Sequence, residues 1–233
     1  MAEPEKKTDA EAVSAAETAI LDQGGRPLGP RAMQTRQRIL DATVELLREK
    51  SMRDLRVIDI ARRISSSPAT FYQYFKDVED VVLFLAAAAS EATPEMVEVI
   101  EGDWMGEAGY ERGCKLIRLA MEHWEAYEPI LRVRNNSSDE GDDRFYQIRY
   151  KASMPMVLAF IRQIESSHKA EDLGGGHVWE GATVDPIAGA TALTSILERL
   201  SMYSSTIEEI GTSREHIVDT AASMLQFILT SRR

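Results

Sequence analysis

Residues 57–76, VIDIARRISSSPATFYQYFK, decide the fold. Ile60, Ala61 and Ile64 fall at i, i+1 and i+4, an apolar stripe that predicts a first short helix. Ser65, Ser66 and Ser67 break the stripe and predict a tight polar turn. Ser67 before Pro68 predicts a new helix start, because the serine hydroxyl accepts an otherwise unpaired amide and proline at the first helical position needs no donor. The second helix, read as Pro68 to Tyr74, spans about two turns. A helix so short has no stability of its own and must be clamped onto neighbours. Phe71 and Phe75, four apart, are expected to face inward together. Thr70, Gln73 and Tyr74 then lie around the other side, with Tyr72 between. Small Ala69, hydroxyls and an amide on one short helix are what a major-groove reader requires.

The stretch IARRISSSPATFYQYFK resembles the helix-turn-helix of the TetR family of bacterial transcriptional regulators, whose common pattern is I-A-x-x-A-G-V-S-x-x-T-[LF]-Y-x-[HY]-F. Ile60, Ala61, Ser67, Thr70, Phe71, Tyr72, Tyr74 and Phe75 match it. The resemblance extends upstream through RQRILDATVELLREKSMRDLRV and covers residues 34–90. Three departures from the pattern carry weight. Ser65 and Ser66 stand where the family has Gly and Val, Arg56 where it has Thr or Ser, and Val78 where a Lys is common, with Lys76 close by. The resemblance implies that Arg56, Ser67, Pro68, Ala69, Thr70, Tyr72, Gln73, Tyr74 and Lys76 meet a double-stranded DNA operator. In that arrangement Ala69 and Gln73 face base edges, while Thr70, Tyr72, Tyr74 and Lys76 meet phosphates.

The charge is distributed to suit. The chain has 233 residues, 44% of them apolar, and a formal charge of -11. Residues 31–76 carry ten Lys or Arg against five Asp or Glu, a net of +5, which leaves -16 on the remainder. A basic head on an acidic body approaches phosphate with one face only. Cys114 is the single cysteine, so an intramolecular disulfide and a cysteine-based zinc site are both excluded. There is neither a basic-then-apolar leader nor an apolar run near eighteen residues, and the chain reads as soluble and cytoplasmic with no membrane partner.

In chain order, residues 1–30 read as a largely disordered arm ending in the linker GGRPLGPR, with Arg26 and Arg31 either solvated or reaching a minor groove. Residues 31–78 form the helix-turn-helix domain and 79–233 a ligand-binding and dimerisation domain. Gln34–Lys50 is an amphipathic helix that buries Ile39, Ala42, Leu46 and Leu47. Asp77 and Asp80 give a capping-box start to a helix running from Val78 to about Thr93. By the resemblance, that helix transmits ligand state to the head. Further helices are expected over Pro94–Glu101, Gly109–Arg134 with a break near Pro129, and Arg144–Ser166 with a kink at Pro155. The last two cover Ile187–Tyr203 and Ser213–Ser231. Polar loops are expected at 135–143 and 167–184. Strand periodicity is absent, so the fold class is all-α with about nine helices.

Met121, Trp124 and Tyr127 recur at helical spacing, as do Tyr146, Tyr150 and Met154. Each stripe suits either plain core or the lining of an apolar pocket. The stretch TALTSILERL, residues 191–200, is similar to the ethionamide-resistance repressor subgroup, and that likeness implies Thr194 and Leu197 in a pocket for a small hydrophobic effector. The last two helices carry apolar residues on more than one face, which suits a homodimer, and a dimer suits paired half-sites. No G-x-S-x-G, HExxH or Cys–His arrangement is present, the four histidines are scattered, and neither metal nor cofactor is expected. The reading is a dimeric, ligand-responsive transcriptional repressor. The alternative is an interaction protein of the same architecture with a repurposed head.

Overall fold

The computed structural model describes residues 23–91, 93–170 and 184–230, with the side chains of residues 169 and 170 left aside. Residues 1–22, the glycine run of 174–176, and His177 lie outside it, so the first part of the arm and most of the second loop are not described. Among the described residues there are nine α-helices and no strand ladder. The all-α expectation holds. The chain divides into two compact units, residues 1–85 and 86–233.

In the first unit, α1 (Pro30–Glu49) starts four residues earlier than expected, because Gly29 and Pro30 form a helix start instead of linker. Residue 23, expected to be disordered, is tied down: the Gln23 amide donates to the Gln73 carbonyl at 3.1 Å. A 3-10 turn (Met52–Asp54) leads to α2 (Val57–Arg63) and α3 (Pro68–Phe71). Ile39, Leu46, Leu55, Ile60, Ile64, Phe71, Phe75 and Val81 form the core that clamps these short helices. Phe71 and Phe75 are 1% and 3% exposed, so both face inward as their spacing predicts.

Next comes α4 (Val78–Ser90), which ends three residues short of the expected Thr93. Asp77 Oδ1 caps it, accepting from the Asp80 amide at 2.8 Å, while Asp80 reaches back to the Lys76 amide at 2.9 Å.

The second unit contains α5 (Pro94–Ile100), α6 (Gly106–Asp139), α7 (Asp143–Ala170), α8 (Pro186–Ile210) and α9 (Arg214–Thr230). The expected break near Pro129 does not occur, and α6 runs on through it; α7 likewise continues through Pro155. Pro129 is itself buried, and α6 packs along α7, α8 and α9. Those contacts outweigh the one hydrogen bond a proline removes. The expected loop 135–143 contracts to a turn at residues 140–142, because Asn135 and Ser137 are buried and extend α6. α8 continues past Tyr203 to Ile210, where Gly211 ends it at φ +114°. Trp104, Leu116, Met121, Phe160, Leu193 and Leu225 centre the core. No helix among the described residues is long and apolar enough to cross a membrane.

Candidate nucleic-acid interface and ligand cavity

The turn between α2 and α3 is built by backbone bonds. The Ser66 amide donates to the Ala61 carbonyl at 2.8 Å and the Ser65 amide to that of Arg62 at 3.0 Å, a Schellman ending. Ser65 sits at φ +54°, where glycine is usual. Arg38 donates from α1 to the Ile64 carbonyl and fixes the turn to the first helix. Ser67 Oγ then accepts from the Thr70 amide at 3.2 Å, and Pro68 opens α3. The α-helical part is shorter than the expected Pro68–Tyr74. The chain stays turned because the Phe75 amide donates to the Phe71 carbonyl at 3.1 Å.

With Phe71 and Phe75 holding this segment down, Ser67, Ala69, Tyr72, Gln73 and Lys76 are exposed, and Pro68, Thr70 and Tyr74 are half-buried. Thr70 Oγ1 lies 3.1 Å from Ser67 Oγ. Tyr74 packs on the head core. Arg56 is exposed at the start of α2, where its amide donates to Asp59 at 3.1 Å, a bond that holds the Asp59 carboxyl below its ordinary value. Several of the basic residues counted in this region have other tasks. Arg63 pairs with Glu45 and Glu49, Lys50 with Asp59, and Arg36 lies over the rings of Phe75 and Phe84 at 4.8 and 4.0 Å. Arg31, Arg48, Arg62 and Lys76 are exposed with no ionic partner among the described residues.

The second unit holds a cavity of about 90 Å³. That is several times the roughly 10–15 Å³ one water needs, so the space is more than a packing defect. Trp124, Leu131, Met96, Met156, Thr194 and Leu197 supply its apolar wall. Of the residues singled out in the sequence, Trp124, Thr194 and Leu197 are there. Met121 is fully buried in the core instead. Tyr127, Tyr146 and Tyr150 are exposed, the last two stacked with centroids 6.1 Å apart. Met154 is half-buried and outside the lining.

Sequence reasoning missed the polar wall of His123, Arg134, Arg149 and Glu198. Arg134 is only 8% exposed. Its Nε and Nη2 donate to Asn135 Oδ1 at 3.1 and 3.0 Å. Asn135 Nδ2 donates to Glu198 Oε1 at 2.7 Å, and Arg149 Nη2 to Glu198 Oε2 at 3.0 Å. Burial pushes the Arg134 guanidinium down to about 10, against the pull of Glu198. Burial, and then the charge of Arg134, hold His123 below its ordinary value. The signal was present, since Arg134 and Asn135 lie on the same face as the Trp124 stripe. It was obscured because Arg134 read as the last residue of its helix and Asn135 as the first of a loop. No group of three or more metal-ligating side chains occurs among the described residues.

Two family models match the chain. "Bacterial regulatory proteins, tetR family" covers residues 39–85, and "Tetracyclin repressor-like, C-terminal domain" covers residues 96–233. No curated protein matches significantly. Solved structures share the fold at low identity. GusR of Salmonella enterica is 15% identical with a TM-score of 0.60, covering 87% of this chain and 97% of its own. FadR of Bacillus subtilis, solved in complex with stearoyl-CoA, is 14% identical with a TM-score of 0.57, covering 83% and 97%. The TetR family transcriptional regulator PfmR of Thermus thermophilus is 18% identical with a TM-score of 0.53, covering 83% and 97%.

Proposed function

The chain belongs to the TetR family of bacterial regulatory proteins, and from that membership we propose that it is a ligand-responsive transcriptional repressor. It holds a (pseudo)palindromic operator as a homodimer and releases it when a small apolar effector enters the cavity. The observation that carries this reading is the clamped segment 67–76. Its aromatic side is sealed in the head core, and Ala69, Tyr72, Gln73 and Lys76 are left exposed. Ala69 and Gln73 read base edges in the major groove, and the hydroxyls with Lys76 and Arg56 hold phosphates.

The effector site is supported by the cavity beside Trp124, Thr194 and Leu197 and by the likeness of residues 191–200 to the ethionamide-resistance repressor subgroup. The stearoyl-CoA of the Bacillus subtilis FadR structure belongs to that protein, and it agrees with an apolar occupant here. Coupling runs through α4. Its first turns place Val81 in the head core, and Ala89 near its end packs with Trp124 and Leu131. A tilt of α4 changes half-site reach in both protomers together.

Fluorescence anisotropy on duplex DNA from upstream of the chain's own coding sequence, across a salt series, tests the reading. Repressor binding imposes a steep negative slope of about -0.9 per neutralised phosphate. A flat salt dependence would leave the interaction-protein alternative in its place.

A further inference from the structure

The effector-site reading above leaves the chemistry of the effector open, and the polar wall of the cavity narrows it. Arg134 is the unusual residue there, a guanidinium more than nine-tenths buried. Two of its nitrogens converge on one neutral oxygen, Asn135 Oδ1. Its Nη1 has no hydrogen-bond partner, and no carboxylate lies within ion-pair distance of it, among the described residues. The acid that influences it, Glu198, is already engaged on both oxygens by Asn135 and Arg149.

The wall therefore carries two guanidiniums against one carboxylate. Asp139, the other partner of Arg149, is 71% exposed, where solvent screens it. His123 adds no compensating negative charge. A buried cation without a counter-ion is unfavourable, and an anion brought in beside it relieves that cost.

We propose that the effector is a monocarboxylic acid, whose apolar body lies along Trp124, Leu131 and Leu197 and whose carboxylate pairs with Arg134. One buried guanidinium balances one negative charge, and its planar fork matches a carboxylate in geometry. A cationic ligand meets the opposite situation, because Glu198 has no free oxygen and Arg134 repels it. Met96 and Met156, unbranched and adaptable, let the apolar part vary in shape. This inference rests on the cavity being the effector site.

Calorimetry on the full-length protein with phenylacetate, 3-phenylpropanoate and octanoate, each paired with its primary amide, tests it. The expected result is a preference of about 10- to 100-fold for the best acid over its amide, as a charge-assisted bond in a buried site gives. The preference should vanish in Arg134→Gln and survive in part in Arg134→Lys, with the circular dichroism spectrum of both variants matching that of the unaltered protein as evidence of an intact fold. Equal affinity for acid and amide in the unaltered protein, or a preference kept by Arg134→Gln, overturns the inference. If the amides then still release DNA, the effector-site reading stands without it. Acid-selective binding that leaves DNA binding untouched upholds the Arg134 site and overturns the regulatory reading. Absence of binding by every pair overturns both.

Discussion

Ser65 holds a left-handed backbone, φ +54°, in the turn that aims the reading segment. A side chain in that conformation costs about 1–2 kcal/mol, and glycine's extra freedom in the unfolded chain returns part of the difference. Ser65→Gly is therefore expected to stabilise the protein by up to about 1 kcal/mol in urea titration. In the proposed function two neighbours divide DNA reading between them. Gln73→Ala should change the sequences recovered in a binding-site selection, at a cost of about 1–3 kcal/mol on the preferred site. Lys76→Ala should weaken all sequences alike and flatten the salt slope by about one unit. An unchanged selection with Gln73→Ala would remove that residue from base reading.

His123 carries a pH dependence of known sign. Its native value is depressed, so on acidification the unfolded chain binds the proton first. Stability is lost as pH falls below the ordinary histidine value of about 6.5, and the loss is complete below the native value. The urea midpoint should drop more between pH 7.5 and 5.5 in the unaltered protein than in His123→Gln.

At the scale of elements, the entry to α6 is pinned by two others. Trp104 Nε1 donates to the Ile100 carbonyl of α5 at 2.8 Å. Gln226 of α9 donates to the Trp104 carbonyl at 3.0 Å. Gly109 passes directly beneath, where an added Cβ would lie 1.9 Å from that same carbonyl oxygen. Backbone has no rotamer with which to yield. Gly109→Ala should destabilise the protein by about 1–3 kcal/mol in urea, as overpacking does. A value near zero would mean that the α5–α6 turn is free to shift.

For the whole molecule, the dimer is proposed through α8 and α9, and the folded protomer restricts which residues face a partner. Leu225, a central apolar residue by sequence, is fully buried in its own core, so Leu225→Asp should unfold the protomer. Met224 beside it is 46% exposed, and Ile187 and Tyr203 are 66% and 38% exposed. Met224→Asp should leave the fold intact by circular dichroism and shift light scattering toward monomer at micromolar concentration. A folded dimer in that variant would relocate the interface. Coupling between effector and DNA must also be reciprocal. Operator DNA should lower effector affinity by the factor by which effector lowers DNA affinity.

Local patterns were enough for the reading head. The Ile60–Ala61–Ile64 stripe, the Ser67–Pro68 start and the Phe71–Phe75 pair act within a few residues of one another, where periodicity and capping chemistry prevail. The all-helical class follows from the same rules. The cavity was legible at Thr194 and Leu197 only through the resemblance of residues 191–200, and at Trp124 from helical spacing, since an apolar residue at that spacing can point inward. Whether Tyr146 and Tyr150 did so was not, because spacing sets which residues share a face and leaves open what that face meets. Only tertiary structure carried α6 through Pro129 and on to Asp139, bringing Asn135 out of an apparent loop and into the wall beside Arg134. There, partners distant in sequence, Glu198 above all, supply the hydrogen bonds and burial that local propensity does not encode.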